Sequence, residues 1–123
     1  MDPAFFFEMP ALDMQRAKGF YERAFGWSIL TSYDNFYFAL TTESDAARNP
    51  QTLGAINGAI QRKDETIGAL RLMIGVEDLD VAIKKVLAEG GRVKLPPKKI
   101  PGYYYAVVFD TEGNEVNVVQ RLT

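Results

Sequence analysis

The sequence predicts an α+β fold made of two βαβββ modules, and three observations carry that expectation. Two amphipathic helices start at aspartate caps, Asp13 and Asp78. Each helix follows an apolar strand-like run and precedes three more. The halves also align when Asp13 is set on Asp78, because the same offset pairs Ala17 with Ala82, Tyr21 with Val86 and Gly26 with Gly91. One domain over residues 1–123 follows, made of modules 1–66 and 67–123. Pairing the modules predicts a curved mixed sheet around a cavity, with the helices outside. A single ferredoxin-like sandwich with extra strands is the alternative.

Each element has its own signal. Ala4 to Met9 is apolar and aromatic, which suits a strand. After Asp13, the residues Ala17, Phe20, Tyr21, Ala24 and Phe25 fall at helical spacing and predict a buried stripe. Gly26 ends that helix. "WSILTSY" and "FYFALTT" read as two strands turning at Asp34-Asn35. "ESDAARNPQT" reads as a polar loop, "LGAINGAIQR" as a glycine-containing strand and "KDETIG" as a second loop.

The second half repeats this order. In "ALRLMIGV", Leu70, Leu72, Ile74 and Val76 alternate with Arg71, Met73 and Gly75. The helix after Asp78 presents Leu79, Ala82, Ile83, Val86 and Leu87, and Gly90-Gly91 stops it. "RVKLP" predicts a short strand and "PKKIPG" a loop. "YYYAVVFD" and "EVNVVQ" predict the last two strands, joined at Glu112-Gly113-Asn114.

Composition excludes several classes of function. Hydrophobic residues make up 47% of the 123 and charged residues 24%, with a net charge of −2, as in an ordinary globular domain. Basic residues form no long stripe, so no nucleic-acid partner is expected. There is no cysteine, and hence neither a disulfide nor a thiolate nucleophile. The absence of histidine removes the commonest metal ligand and general base together. The N-terminal "MDPAFFFEMPALD" lacks the basic start and long apolar core of a signal peptide, and no run is long enough to span a bilayer. A cytoplasmic location without a membrane partner is expected.

The segments "ALDMQRAKGFYERAFGW", "VEDLDVAIKKVLAEGGRV" and "IPGYYYAVVFDTEGNEV" resemble the vicinal oxygen chelate superfamily of glyoxalases, bleomycin-resistance proteins and extradiol dioxygenases. The resemblance implies the glyoxalase/bleomycin-resistance fold and a homodimer. In metal-using members it also implies two ligands seven residues before the helix-capping aspartates, which here are Phe6 and Arg71. A third ligand position falls on Asn117, and the fourth falls near Asn57 or Gly58. A ring without a donor atom, a permanent cation and neutral amides do not suit a divalent transition metal. The expectation is therefore no metal, no cofactor and doubt about the lyase, isomerase or dioxygenase chemistry of the superfamily.

Alternation selects the lining of the expected cavity. If Phe6 and Arg71 point inward, so do Glu8 and Met73, and Asn117 shares their side. Tyr37, Asn57, Tyr103 and Tyr105 complete the candidate ligand-binding set. Arg71 is expected either to grip a ligand or to pair with Glu8. The tyrosines make either a stacking wall or an ordinary half-exposed strand. Glu8 is the weak candidate for a general base, with no catalytic residue otherwise assigned. A small, partly aromatic ligand is the partner this lining suits. A metal-dependent or Glu-based enzyme, or a structural module with a vestigial cavity, is the alternative.

Overall fold

The computed structural model describes residues 1–122. The elements are β1 (Ala4–Ala11), α1 (Met14–Phe25), β2 (Ser28–Leu30), β3 (Phe36–Leu40), β4 (Asn57–Arg62), β5 (Arg71–Val76), α2 (Leu79–Ala88), β6 (Arg92–Ile100), β7 (Tyr103–Phe109) and β8 (Glu115–Arg121). This is the α+β class and the strand–helix–three-strand order expected, given twice. The chain forms two compact units: Phe6–Leu70, and Met1–Phe5 together with the chain from Arg71 onward.

In the first unit, Phe6–Leu70, the strand order is β2-β3-β4-β1. β1 and β4 run parallel, with Phe6 beside Asn57 and Glu8 beside Ala59. β3 and β4 run antiparallel, with Phe38 beside Ala59. Asp13 caps α1 by accepting the Arg16 N–H at 2.9 Å, and Gly26 closes it in the left-handed conformation. One face of the sheet meets α1 through Phe7, Ala11, Met14, Ile29, Tyr37, Ala39 and Ile60. Gly58 lies under the Phe7 ring, where an added Cβ would stand 2.5 Å from ring carbons.

Two expectations for this unit are corrected. The buried stripe of α1 runs through Met14, with Ala17 and Tyr21 half-buried, while Phe20 and Phe25 are 53% and 65% exposed. The helix turns its Met14–Ala17–Tyr21 edge to the sheet, and Phe20 and Phe25 pack edge-on against each other beside it. The hairpin turn placed at Asp34-Asn35 is instead a longer connection from 31 to 35. Asn35 there accepts from Arg62, at its backbone oxygen (3.1 Å) and at Oδ1 (2.8 Å).

In the second unit the strand order is β5-β8-β7-β6. β5 and β8 run parallel, with Met73 beside Asn117, and the other pairs are antiparallel. Pro3 accepts a hydrogen bond from the Gly75 N–H at 2.9 Å. Leu79, Ile83, Ala106, Val108 and Val118 form the core under α2, with Val76, Val86, Val93, Tyr104 and Val116 around it. Fully burying a leucine, isoleucine or valine side chain there stabilises the fold by about 1.5–3 kcal/mol. Leu87, placed on the stripe by spacing, is exposed.

The "PKKIPG" segment corrects the reading of a loop. β6 continues through Pro96 and Pro97 to Ile100, with register shifts between Val93 and Leu95 and between Leu95 and Lys98. β6 ends the unit's strand order, so among the described residues one side of it has no ladder neighbour. A proline without an N–H fits there, and the bulges absorb its fixed φ.

Candidate functional site

In each unit the strands have one face covered by that unit's helix and one face free of it, and alternation assigns the side chains. On the helix-free face of the first unit, Phe6, Glu8, Ala59, Phe36 and Phe38 lie on adjacent strands. Phe38 meets Phe6 at 6.4 Å and Phe36 at 5.0 Å between ring centroids, both edge-on. The Arg48 guanidinium carbon lies 4.1 Å from the Phe38 centroid. Glu8 is buried, and Gln61 donates its side-chain N–H to the Glu8 carboxylate.

Asn57 is buried beside Phe6 and holds the preceding loop. Its Oδ1 accepts the Thr41 N–H at 2.9 Å. Its Nδ2 donates to Ser44 Oγ at 2.9 Å and to the Arg48 carbonyl at 3.1 Å. The loop is the structural reason for a buried amide there.

Tyr37 does not belong to this face. It is buried among Phe7, Met14 and Ile60 under α1, and its hydroxyl accepts from Gln15 Nε2 at 2.8 Å. Tyr37 is one residue from Phe36 and Phe38, so the pleat turns it to the helix side.

On the helix-free face of the second unit, Met73, Asn117 and Val107 stand in one row across β5, β8 and β7. Tyr105 with Val119, and Tyr103 with Arg121, form the next rows on that face. Tyr104 takes the opposite side, where its hydroxyl donates to Asp80 at 2.8 Å. That hydrogen bond holds the Tyr104 hydroxyl above the usual tyrosine range. Arg71 is buried and donates to Glu115 at 3.2 Å, and Lys94 binds the other oxygen of the same carboxylate. Alternation along the sequence puts Glu115, two residues from Asn117, on the same face, but it does not show that Glu115 pairs with Arg71 and Lys94. Thus Arg71, Met73, Tyr103, Tyr105 and Asn117 share one face of the second unit, and Phe6, Glu8 and Asn57 one face of the first.

The internal repeat also moves the fourth implied ligand position. Met73 stands to Glu8 as Asp78 stands to Asp13, and the parallel neighbours of Met73 and Glu8 are Asn117 and Ala59. Ala59, rather than Asn57 or Gly58, is therefore the counterpart of Asn117. Gly58 lies beside Phe7, on the helix side. An alanine methyl, a phenyl ring, a guanidinium tied to Glu115 and an amide do not fit a divalent ion. Among the described residues, no three His, Cys, Asp or Glu side chains converge to hold one.

The turn preceding β8 recurs in the first unit. Asp110 accepts from the backbone N–H of Glu112 (2.8 Å) and Asn114 (2.9 Å), and from Asn114 Nδ2 (2.9 Å). Asp45 accepts in the same pattern from Ala47 N (2.9 Å), Asn49 N (2.9 Å) and Asn49 Nδ2 (3.1 Å). Hydrogen bonds from Asn114 and Asn49 hold both carboxyls below the usual aspartate range. The polar loop read at "ESDAARNPQT" contains this second copy of the turn, and the offset from Asp45 to Asp110 equals that from Asp13 to Asp78.

Comparison with known proteins agrees with the fold. A family model described as the Glyoxalase/Bleomycin resistance protein/Dioxygenase superfamily matches residues 6–118. A "glyoxylase-like domain-containing protein" of Didymella fabae is 28% identical over 120 residues, covering 93% of this chain and 90% of its own. A superfamily member from Vibrio splendidus has a similar structure, with a TM-score of 0.63 at 14% identity, covering 98% of this chain and 99% of its own. So does a methylmalonyl-CoA epimerase from Mycobacterium tuberculosis, with a TM-score of 0.61 at 15% identity, covering 97% and 87%. Among the described residues, no helix is long and apolar enough to cross a membrane. The duplicated modules, their repeated caps and turns, and the match over residues 6–118 place the chain in the glyoxalase/bleomycin resistance protein/dioxygenase superfamily.

Proposed function

We propose that the protein binds a small, partly aromatic molecule without a metal ion, as a cytoplasmic homodimer, using the helix-free sheet faces. The supporting observation is the exchange of donors at the implied metal positions. Phe6, Ala59, Arg71 and Asn117 stand there. On the helix-free face of the first unit Phe6 and Ala59 have the rings of Phe36 and Phe38 and the buried Glu8 beside them, and in the second unit Met73 and Tyr105 share the face of Arg71 and Asn117. Such an apolar lining with sparse polar anchors is the usual chemistry of a small-molecule site.

Elemental analysis and a thermal-shift screen of aromatic compounds test this reading together. The expected result is well under one metal ion per chain and a melting temperature raised by at least one compound class. One tightly held nickel, zinc, iron or manganese per chain overturns it. Light scattering in solution tests the dimer, which a monomeric mass would exclude.

A second reading rests on Glu8, a buried carboxylate on the same face as Phe38, with Gln61 holding it. A positioned carboxylate of this kind serves as a general base in metal-free proton transfer. In that case Glu8→Gln abolishes turnover of a ligand that it still binds. Unchanged turnover in that variant removes Glu8 from the chemistry.

A further inference from the structure

Arg48 is the only non-glycine residue with positive φ among the described residues, at 66°. The left-handed region is unfavourable for a side chain with a Cβ, and such strain persists where something else holds it. The molecule contains its own control. In the matching turn of the second unit, the same position is Gly113 (φ 85°). Both turns make the same bonds, from Asn49 and Asn114 to their aspartates. The backbone bonds of Arg48, its N–H donating to the Asp45 carbonyl at 2.9 Å and its own carbonyl accepting from Asn57, need no particular side chain, and Gly113 donates to Asp110 in the same way.

The turn itself therefore does not call for arginine, and the side chain supplies the reason. The guanidinium is set over Phe38, within the Phe6–Phe36–Phe38 ring cluster. Among the described residues Arg48 makes no ion pair. A guanidinium held over a ring by its face keeps its N–H edges for in-plane hydrogen bonds to a carboxylate, sulfonate or phosphate. We propose that Arg48 is a specificity-determining residue that selects a planar aromatic anion, its ring against the phenylalanines and its acidic group on the guanidinium edge. This rests on the binding function above and adds the charge of the ligand.

The test uses two fluorescent probes of similar size with the full chain: anionic 1-anilinonaphthalene-8-sulfonate and neutral N-phenyl-1-naphthylamine. The wild type is expected to bind the anion more tightly. Arg48→Asn, which tolerates the left-handed conformation, weakens the anion by about tenfold and changes the neutral probe by less than about twofold. Its melting temperature stays equal or rises, because strain is relieved. Arg48→Lys keeps the charge but loses the planar fork, and gives an intermediate affinity. Unchanged anion affinity in Arg48→Asn overturns the proposal. So does a fall in melting temperature of more than about 5 °C, which would make the arginine a packing residue. A wild type that binds neither probe overturns the binding function itself.

Discussion

Asp110 shows how one side chain can organise a turn. It accepts three hydrogen bonds within five residues, all of them better made by the ionised carboxylate. Its folded-state pKa is therefore depressed, with the Asn114 side chain as the first cause. A depressed carboxylate contributes stability above its unfolded pKa and loses it as pH falls through the folded value. Asp110→Asn is expected to lower the urea midpoint at neutral pH, with a smaller deficit at pH 2. An equal deficit at both pH values would mean that charge plays no part. Tyr104 has the opposite sign. Its raised pKa means that the bond to Asp80 contributes below the usual tyrosine range and is lost at higher pH. Tyr104→Phe should accordingly cost stability at pH 7 and nothing once the tyrosine is ionised, as read by denaturant titration at both.

The strands and helices follow from alternation and capping, and their close approaches can be tested. Gly58 permits β4 to run under the Phe7 ring, and a methyl there would meet carbons at 2.5 Å. Gly58→Ala is expected to destabilise by about 1–3 kcal/mol through overpacking, measured by denaturant unfolding. A change below about 0.5 kcal/mol would show that Phe7 moves aside easily. Asp13 and Asp78 were legible as caps because a carboxylate three residues before a free N–H is a local arrangement. The strand through Pro96 and Pro97 was not legible. The two prolines and two lysines of "PKKIPG" read as a loop until β6 is known to lie at the end of the order β5-β8-β7-β6. Phe20 and Phe25 misled for the converse reason. Helical spacing marks an apolar stripe but not which of its edges meets the sheet.

Across the whole molecule, the duplication is the organising fact. One constant offset relates the capping aspartates and the Asp45 and Asp110 turns, and then fails. The chain from Asn49 to Ala59 is longer than the chain from Asn114 to Asn117. This insertion in the first copy hides the register of β4, which is why spacing pointed to Asn57 or Gly58 and pairing to Ala59. Among the described residues no three His, Cys, Asp or Glu side chains converge, so EDTA treatment is expected to leave the melting temperature unchanged within about 1 °C. A clear fall on chelation, restored by one added metal, would locate an ion among residues assigned no such role.

The sequence alone determined the class, the caps and which strand residues share a side, because all three depend on neighbours a few positions apart. It also determined the poverty of metal donors, since the absence of histidine and cysteine is a matter of composition. Tertiary structure decided the rest. Tyr37 went under α1, Glu115 joined Arg71 to Lys94, and Arg48 came to lie on Phe38. Each of these depends on strand register or loop length, and residues distant in sequence meet only after those are fixed.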